Sequence, residues 1–465
     1  MVIAAGQKTQ DTDVQTHIDE LRQVFRSGRT RNLRWRQDQL RGIELLCNEH
    51  ESEIAVALAD DLDRSPVDAW LGDVASTTAE AAYAHKNLRK WVKTQRLRLP
   101  LAQRPGRAWV QYDPLGVVLI IGPWNYPVYL SLAPLVGAIA AGNCAVIKPS
   151  ELAPAASSLL ARLVPQYLDP DAVRVIEGDA QTTQNLLGQG FDHALFTGGT
   201  QVGRRIMAAA ASTLTPVTLE LGGKSPVIVT ADADLDVAAR RIASVKLANS
   251  GQMCIAPDYV LADCAIVDEL VAKLVSTIAA FRAGEVDSSL RVVNRRQFDR
   301  LTAMLNATKG QVVCGGGSDS SRLRIEPTIV VNPAFDDAVM ADEIFGPILP
   351  IVPFESTDAA VDFVNRGPTP LALYIFTASQ GRGRALIDRI PSGGAVINHV
   401  AMHCLVPQLP FGGLGASGIG AYHGRWGFET FSHRRAVLAK RTWPDPRLIY
   451  PPYTERAVRI MRKIL

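Results

Sequence analysis

At 465 residues, 47% hydrophobic and 20% charged, the chain is too long for one ordinary core and falls in the range of globular proteins with two or three domains. Its 49 basic residues against 46 acidic leave a net charge of only +3, which excludes the concentrated basic excess that a nucleic-acid footprint needs. Its six cysteines form no CxxC pair and no regular spacing, which argues against a zinc site or a disulfide framework and suits a reducing compartment.

The N-terminal MVIAAGQKTQDTD turns polar before an apolar signal core can form. Gly, Pro, Trp and Asn interrupt the most apolar stretch, Pro114 to Lys148, so it does not read as a spanning helix, and a cytoplasmic protein is expected. The first ninety or so residues read as helical. Val14, Ile18, Leu21 and Phe25 recur at three- and four-residue steps, with Asp13 as a cap and Gly28 as a stop. A second helix runs through Trp35, Leu40, Ile43 and Leu46, and a third spans about Trp70 to Trp91. The densest basic run, from Lys86 to Arg107, reads as a solvated helix face and loop.

Beyond that run, short apolar stretches alternate with helical ones: GVVLIIG, NCAVIKP, AVRVIEG, DHALFTG and PVTLELGG. Strands of this length separated by helices imply βαβ units and a parallel sheet, with loops and ligands at the strands' carboxyl ends. A second series follows: SPVIVTA, a helix from about Leu235 to Ser250, DYVLADC, a helix near Val267 to Arg282, GQVVCGGG, TIVVNP, ILPIVPF and ALYIFTA. The restart places a domain boundary near Gly222, and VCGGGSDSS reads as a surface turn.

Five places could carry chemistry. Gly198 to Gly203, after the strand HALFT and before a helix, could bring backbone amides to a phosphate, although a simple tight turn fits as well. Lys148 and Glu151, after NCAVI, could hold ribose hydroxyls, and a helix-capping loop is the local alternative. Glu220 ends a strand beside a flexible glycine turn and could act as a general base, or be an ordinary glutamate. Cys254, three residues after Gly251, could be exposed by a sharp backbone path; taken alone, an inert buried cysteine fits better. Asn125, held between prolines in GPWNYP, is a stiff amide donor suited to an oxyanion hole, and equally a common turn residue.

In this order the motifs GPWNYP (122–127), KPSELAP (148–154), FTGGTQVG (196–203), LELGGKSP (219–226), GQMCIAPDYV (251–260), EIFGPILPI (343–351) and PFGGLGASGIG (410–420) resemble the aldehyde dehydrogenase superfamily along nearly the whole chain. Tyr126, IAPDYV, GAYHGRWGFETFSH and the closing YPPYTERAVRIMRKIL resemble its class 3 branch. The resemblance implies an α/β fold: a Rossmann-like NAD(P)-binding domain to residue 222 with a bridging strand near 109–113, an α/β catalytic domain over 223–409, and a return over 410–465. That last part would carry FSHRRAVLAK, a small bridging β element that extends a partner's sheet in a homodimer, and a basic tail packed on the protein.

The resemblance also implies roles. Cys254 matches the nucleophile, Glu220 the general base, and Asn125 the side-chain half of the oxyanion hole, with the Cys254 amide as the other half. Lys148 and Glu151 match contacts to the adenosine ribose; Gly198 and Gly203 match the turn beneath the pyrophosphate. Glu343 matches the holder of the nicotinamide ribose, with Phe345 beside it, and Pro123, Trp124, Leu221 and Gly222 complete the cofactor's surroundings. Gly199 stands where many relatives carry Ser, and His399 where class 3 relatives often carry Asp; a structural role is expected for His399.

The implied activity is oxidation of medium- or long-chain aliphatic or aromatic aldehydes to acids with NAD, or alternatively NADP, and no metal. Glu151 would repel a 2′-phosphate, which favours NAD. Two alternatives are a CoA-acylating semialdehyde dehydrogenase, against which Glu220 argues, and a catalytically silent protein on the same fold, against which Cys254 and Glu220 argue together.

Overall fold

The structure, a computed structural model, describes residues 3–283 and 290–464. Two parallel sheets carry the molecule. The first has six strands in the order Gly418–Ile419, Val217–Leu221, His193–Gly198, Val117–Ile121, Cys144–Lys148 and Val173–Val175. All its neighbours run parallel except the edge strand Gly418–Ile419. Every residue of Val117–Ile121 and Cys144–Lys148 is buried, which is why these strands read as unbroken apolar runs rather than alternating ones.

The second sheet has seven strands, in the order Gln311–Cys314, Thr328–Val331, Ile348–Phe354, Tyr259–Asp263, Pro226–Val229, Ala372–Phe376 and Gly394–Ile397. Only Gln311–Cys314 runs antiparallel to its neighbour. A third, antiparallel sheet joins Gln95–Leu97, Gly106–Pro114 and Ser432–Lys440. The last two strands pair over nine positions, from Ser432 opposite Pro114 to Lys440 opposite Gly106.

Between the first sheet and the helices 33–49, 76–91 and 424–430 lies the helix Tyr129–Ala141, buried along almost its whole length and therefore apolar all round. It ends on Gly142, whose φ of 94° is the left-handed cap that glycine adopts without steric cost. Helices 33–49, 51–62 and 76–91 pack around it and form one side of the main core.

Several local expectations shift. The first helix begins at Ile3, which puts position 13 inside it rather than at its start, and it ends at Arg26 just before Gly28. The stretch 70–91 is helical but opens with a π-helical turn, Trp70–Ala75. The helix expected to reach Ser250 stops at Leu247, because Asn249, Ser250 and Gly251 all take positive φ. Helix Arg295–Ala307, capped by the Asn294 side chain, has no counterpart in the sequence reading. The glycine run near Cys314 leads into a small exposed hairpin, Ser318–Asp319 against Arg324–Ile325. No helix among the described residues is long and apolar enough to cross a membrane.

Candidate active site

Three chain segments meet at Cys254. The first is the loop after Val117–Ile121. Its Gly122 amide bonds Lys148 O at 3.0 Å, which ties the loop to the neighbouring strand, and a Cβ on Gly122 would stand 2.4 Å from Ser131 Oγ. Asn125, 4% exposed, donates from Nδ2 to Gln252 O at 3.1 Å. The second segment is the cysteine loop. Asn249, Ser250 and Gly251 have φ of 49°, 52° and 70°, a reversal that costs the two non-glycine residues strain. Gln252, fully buried, holds the loop: its Nε2 bonds Asn249 O and Arg291 O, both at 3.0 Å, and its Oε1 accepts from Val293 N at 3.0 Å. The sharp path inferred from Gly251 thus begins two residues earlier.

The third segment is the end of Val217–Leu221. Glu220 is 1% exposed, and neither of its carboxylate oxygens has a hydrogen-bond partner among the described residues. Burial pushes its pKa up to about 8; the nearby Glu343 carboxylate adds to this, and the Cys254 thiol is the neighbour that favours the charged form. The Cys254 thiol is itself held well above its ordinary value, first by burial and then by Glu220, Glu343 and Cys404, while its own backbone amide favours the thiolate.

Glu343 also rises to about 8, through burial and Asp258, with the Gly223 amide and Lys224 opposing. A Cβ on Gly222 would lie 2.1 Å from Glu343 Oε2, so the carboxylate rests on bare backbone there. Lys224 reaches Asp258 and donates to Val339 O at 3.0 Å and Asp342 O at 2.9 Å, and Asp258 Oδ1 accepts from the Ile344 amide at 2.8 Å. These contacts pin the Glu343–Phe345 segment beside the strand ends. Phe345 meets the Trp124 ring edge-on at 5.4 Å. Lys224 and Asp258 lie inside motifs already singled out, yet their mutual contact depends on the fold.

Away from the thiol, Lys148 Nζ lies 2.8 Å from Glu151 Oε2 at the end of Cys144–Lys148, with Lys148 buried and Glu151 exposed. The helix-capping alternative for this loop does not hold. The helix begins at Pro154, and the amides of Ala155 and Ala156 are capped by the Asp61 carboxylate at 3.1 and 2.9 Å, leaving Lys148 and Glu151 free to face a ligand. Helix Thr200–Ala211 starts on Gly199 with no side-chain cap and no acidic residue in its first turn. A Cβ on Gly199 would meet nothing within 4 Å, whereas one on Gly203 would strike Leu221 Cδ2 at 2.5 Å and one on Gly198 would strike Phe196 Cζ at 2.5 Å. Open helix amides with space before them, together with the Lys148–Glu151 pair and the Glu343–Gly222 contact, fit a dinucleotide laid along the carboxyl edge of the sheet.

Pro123 is buried in the first loop, and Leu221 donates its amide to Ser417 O at 3.1 Å, tying the strand end to the 410–420 motif. His399 turns onto its own backbone, where Nδ1 accepts from the Val400 amide at 2.9 Å. Among the described residues no cluster of His, Cys, Asp and Glu is arranged to hold a metal ion.

This double-sheet scaffold is that of an oxidoreductase of the aldehyde dehydrogenase family, to which the chain belongs: the family model matches residues 1–437. It oxidises aldehydes to acids with a nicotinamide cofactor. Family 3 members are among its relatives. The chain is 45% identical to rat "aldehyde dehydrogenase family 3 member A2" over 96% of this chain and 93% of that one. It is 40% identical to the "4,4′-diaponeurosporen-aldehyde dehydrogenase" of Staphylococcus aureus, over 92% and 94%. The solved substrate-bound AldH of Staphylococcus aureus superposes with a TM-score of 0.93 at 38% identity, covering 97% of this chain and 99% of that one.

Proposed function

We propose that Cys254 is the nucleophile, Glu220 the base, and Asn125 with the Cys254 amide the oxyanion hole, acting on uncharged apolar aldehydes. The observation that carries this reading is the convergence of the three side chains from segments more than 30 residues apart. Of the two carboxyl groups that act on the thiol Glu220 has the larger effect, and its pKa near 8 lets it take the thiol proton and return to the charged form at working pH. The thiolate adds to the aldehyde carbon, and the resulting oxyanion is received by the Asn125 amide and the Cys254 N–H. The bound nicotinamide supplies the hydride acceptor. The thioester left on Cys254 is then opened by water, whose proton Glu220 removes, and the acid departs from a regenerated thiol.

On the cofactor side, Lys148 and Glu151 would hold the adenosine ribose, the Gly198–Gly203 turn the pyrophosphate, and Glu343 with Phe345 the nicotinamide ribose. Pro123, Trp124, Leu221 and Gly222 would line the same edge. Glu151, exposed and negative, disfavours a 2′-phosphate and supports NAD over NADP.

The substrate class follows from the thiol's surroundings. Met253, Cys254, Tyr129 and Cys404 pack against the hydrophobic core, and the largest charges acting on the thiol are the carboxyl groups of Glu220 and Glu343, surroundings that disfavour a carboxylate-bearing semialdehyde. Domains over 1–222, 223–409 and 410–465, a homodimer bridged through Ser432–Lys440, and a cytoplasmic setting suited to six free cysteines belong to the same proposal.

The test is turnover of hexanal, benzaldehyde and succinic semialdehyde with NAD and NADP, followed by NADH or NADPH absorbance. Higher kcat/KM for the two apolar aldehydes and for NAD is expected. Preference for the semialdehyde, or acid release that requires CoA, would overturn the reading.

A further inference from the structure

Behind the Asn125 loop lies a buried ion pair that the reaction scheme leaves unused. Arg64 and Asp73 come from the N-terminal helical region, their side chains are 1% and 0% exposed, and Arg64 Nη1 lies 2.6 Å from Asp73 Oδ2. An ion pair removed from water costs desolvation that apolar residues of the same volume would avoid, so its value must lie in what its donors and acceptors hold.

Each of the three guanidinium nitrogens makes a hydrogen bond. Nη2 donates to the backbone carbonyl of Asn125, Nε donates to Asn249 Oδ1 at 3.2 Å, and the group stacks over the Tyr126 ring at 4.1 Å. Asn249 completes the link. Its Nδ2 donates to that same Asn125 carbonyl and to Gln252 O, both at 3.1 Å, and Gln252 O also accepts the Asn125 side-chain amide at 3.1 Å. The second Asp73 oxygen accepts from the amides of Val128 and Tyr129 at 3.0 and 2.9 Å, at the far end of the Asn125 loop. One guanidinium therefore ties the loop bearing the side-chain half of the oxyanion hole to the loop bearing the backbone half.

We infer that Arg64, oriented by Asp73, is a positioning residue for the reaction: it fixes the Asn125 amide relative to Cys254 by clamping the Asn125 carbonyl and Asn249 together. The inference rests on Asn125 serving the oxyanion hole. A planar fork that bonds three partners in fixed directions suits this task, because rate falls steeply when an oxyanion donor is misplaced.

The test is a double-mutant cycle of Arg64→Met and Asn125→Ala, with kcat for hexanal expressed per active site titrated by the NADH burst. Arg64→Met should lower the rate per site on the order of 10- to 100-fold in the native background and less than about threefold in Asn125→Ala, since a positioning residue has little left to position. NAD affinity, read by protein fluorescence, should stay within about twofold in Arg64→Met, and Arg64→Lys should recover part of the rate. Where Arg64→Met does not fold, Asn249→Gly, which keeps the left-handed backbone and removes the second clamp, enters the same cycle with the same expectation. An equal loss in both backgrounds, or an unchanged rate per site, would overturn the inference. An unchanged rate in Asn125→Ala alone would remove the oxyanion reading and this inference with it.

Discussion

At the scale of single residues the site is organised around one carboxyl group. Glu220 is buried beside a second carboxyl group, Glu343, so its proton is held up to about 8. A base must be ionised to remove a proton, so acid release should accelerate as pH rises through about 8 and level off above it. Glu220→Gln should show a burst of NADH of one equivalent per site followed by a slow, nearly pH-independent steady state, observed by stopped-flow absorbance between pH 6 and 9. Cys254→Ala should give no burst at any pH while still binding NAD.

The same carboxyl group affects stability with a defined sign. In the unfolded chain Glu220 loses its proton near 4.5, whereas the folded protein keeps it until about 8. Between those values the folded state binds more protons, so stability falls as pH rises across this window. The Tm advantage of Glu220→Gln over the native protein should therefore widen from pH 5 to pH 8; a constant difference would show that Glu220 ionises freely in the fold. Cys254, Glu220 and Asn125 were legible because each sits inside a short stretch of its own motif. Arg64, Asp73 and Asn249 were not, because polar residues in or beside helical stretches carry no local mark of what they touch in distant parts of the chain.

At the scale of elements, two helix starts near the site are satisfied by side chains from distant segments, whereas most others carry their own caps. Asp61 caps the helix starting at Pro154, and Asp73 accepts the amides of Val128 and Tyr129 at the start of Tyr129–Ala141. Asp73→Asn removes the charge opposite Arg64 and leaves that guanidinium buried without a counter-charge. Breaking such a pair costs about 3–5 kcal/mol. Tm should fall by several degrees, with loss of activity on warming preceding loss of helix signal in circular dichroism. Simultaneous loss of both would place the ion pair in the global core rather than in the two loops.

A second element-scale prediction concerns the turn after Val217–Leu221. A methyl group on Gly222 would stand 2.1 Å from Glu343 Oε2, so Gly222→Ala should displace that carboxylate and raise the KM for NAD about tenfold or more with little change in Tm. The parallel strands Val117–Ile121, Cys144–Lys148 and Ala372–Phe376 were readable as apolar runs because every residue of each is buried, whereas the half-buried Gly394–Ile397 has no counterpart in the sequence reading. The end of helix Leu235–Leu247 was not readable, since the residues that reverse the chain, Asn249 and Ser250, are not glycines. Helix Arg295–Ala307 was missed for a different reason: its apolar stripe, Phe298, Leu301, Met304 and Leu305, is short, and only Phe298 and Leu301 are fully buried.

At the scale of the whole molecule, the three-stranded sheet stands apart from both large sheets. Ser432–Lys440 is its edge: nine residues paired on one side only, with every position after Ser432 exposed or half-exposed. A long edge strand whose second row of backbone donors and acceptors meets only water is a template for pairing with another chain, and a three-stranded ribbon has little core of its own to hold it in shape. Leu438 at 52% and Trp443 at 80% exposure add apolar surface beside that edge. A two-fold related copy that adds its own sheet there would satisfy the open edge and cover this surface in one closed interface, which is the arrangement a homodimer requires. The native protein should therefore run as a dimer in size-exclusion chromatography with light scattering at micromolar concentration. Leu438→Arg places a charge opposite the identical charge of its symmetry mate or in apolar surroundings, and should weaken the dimer by about tenfold or more, since each 1.4 kcal/mol is a factor of ten. Because no group at Cys254 comes from this sheet, the dissociated variant should keep its burst amplitude per chain while losing Tm in a concentration-dependent way. A native protein that remains monomeric, or a Leu438→Arg protein whose mass in solution is unchanged, would show that this edge is closed by something other than a second copy of the chain.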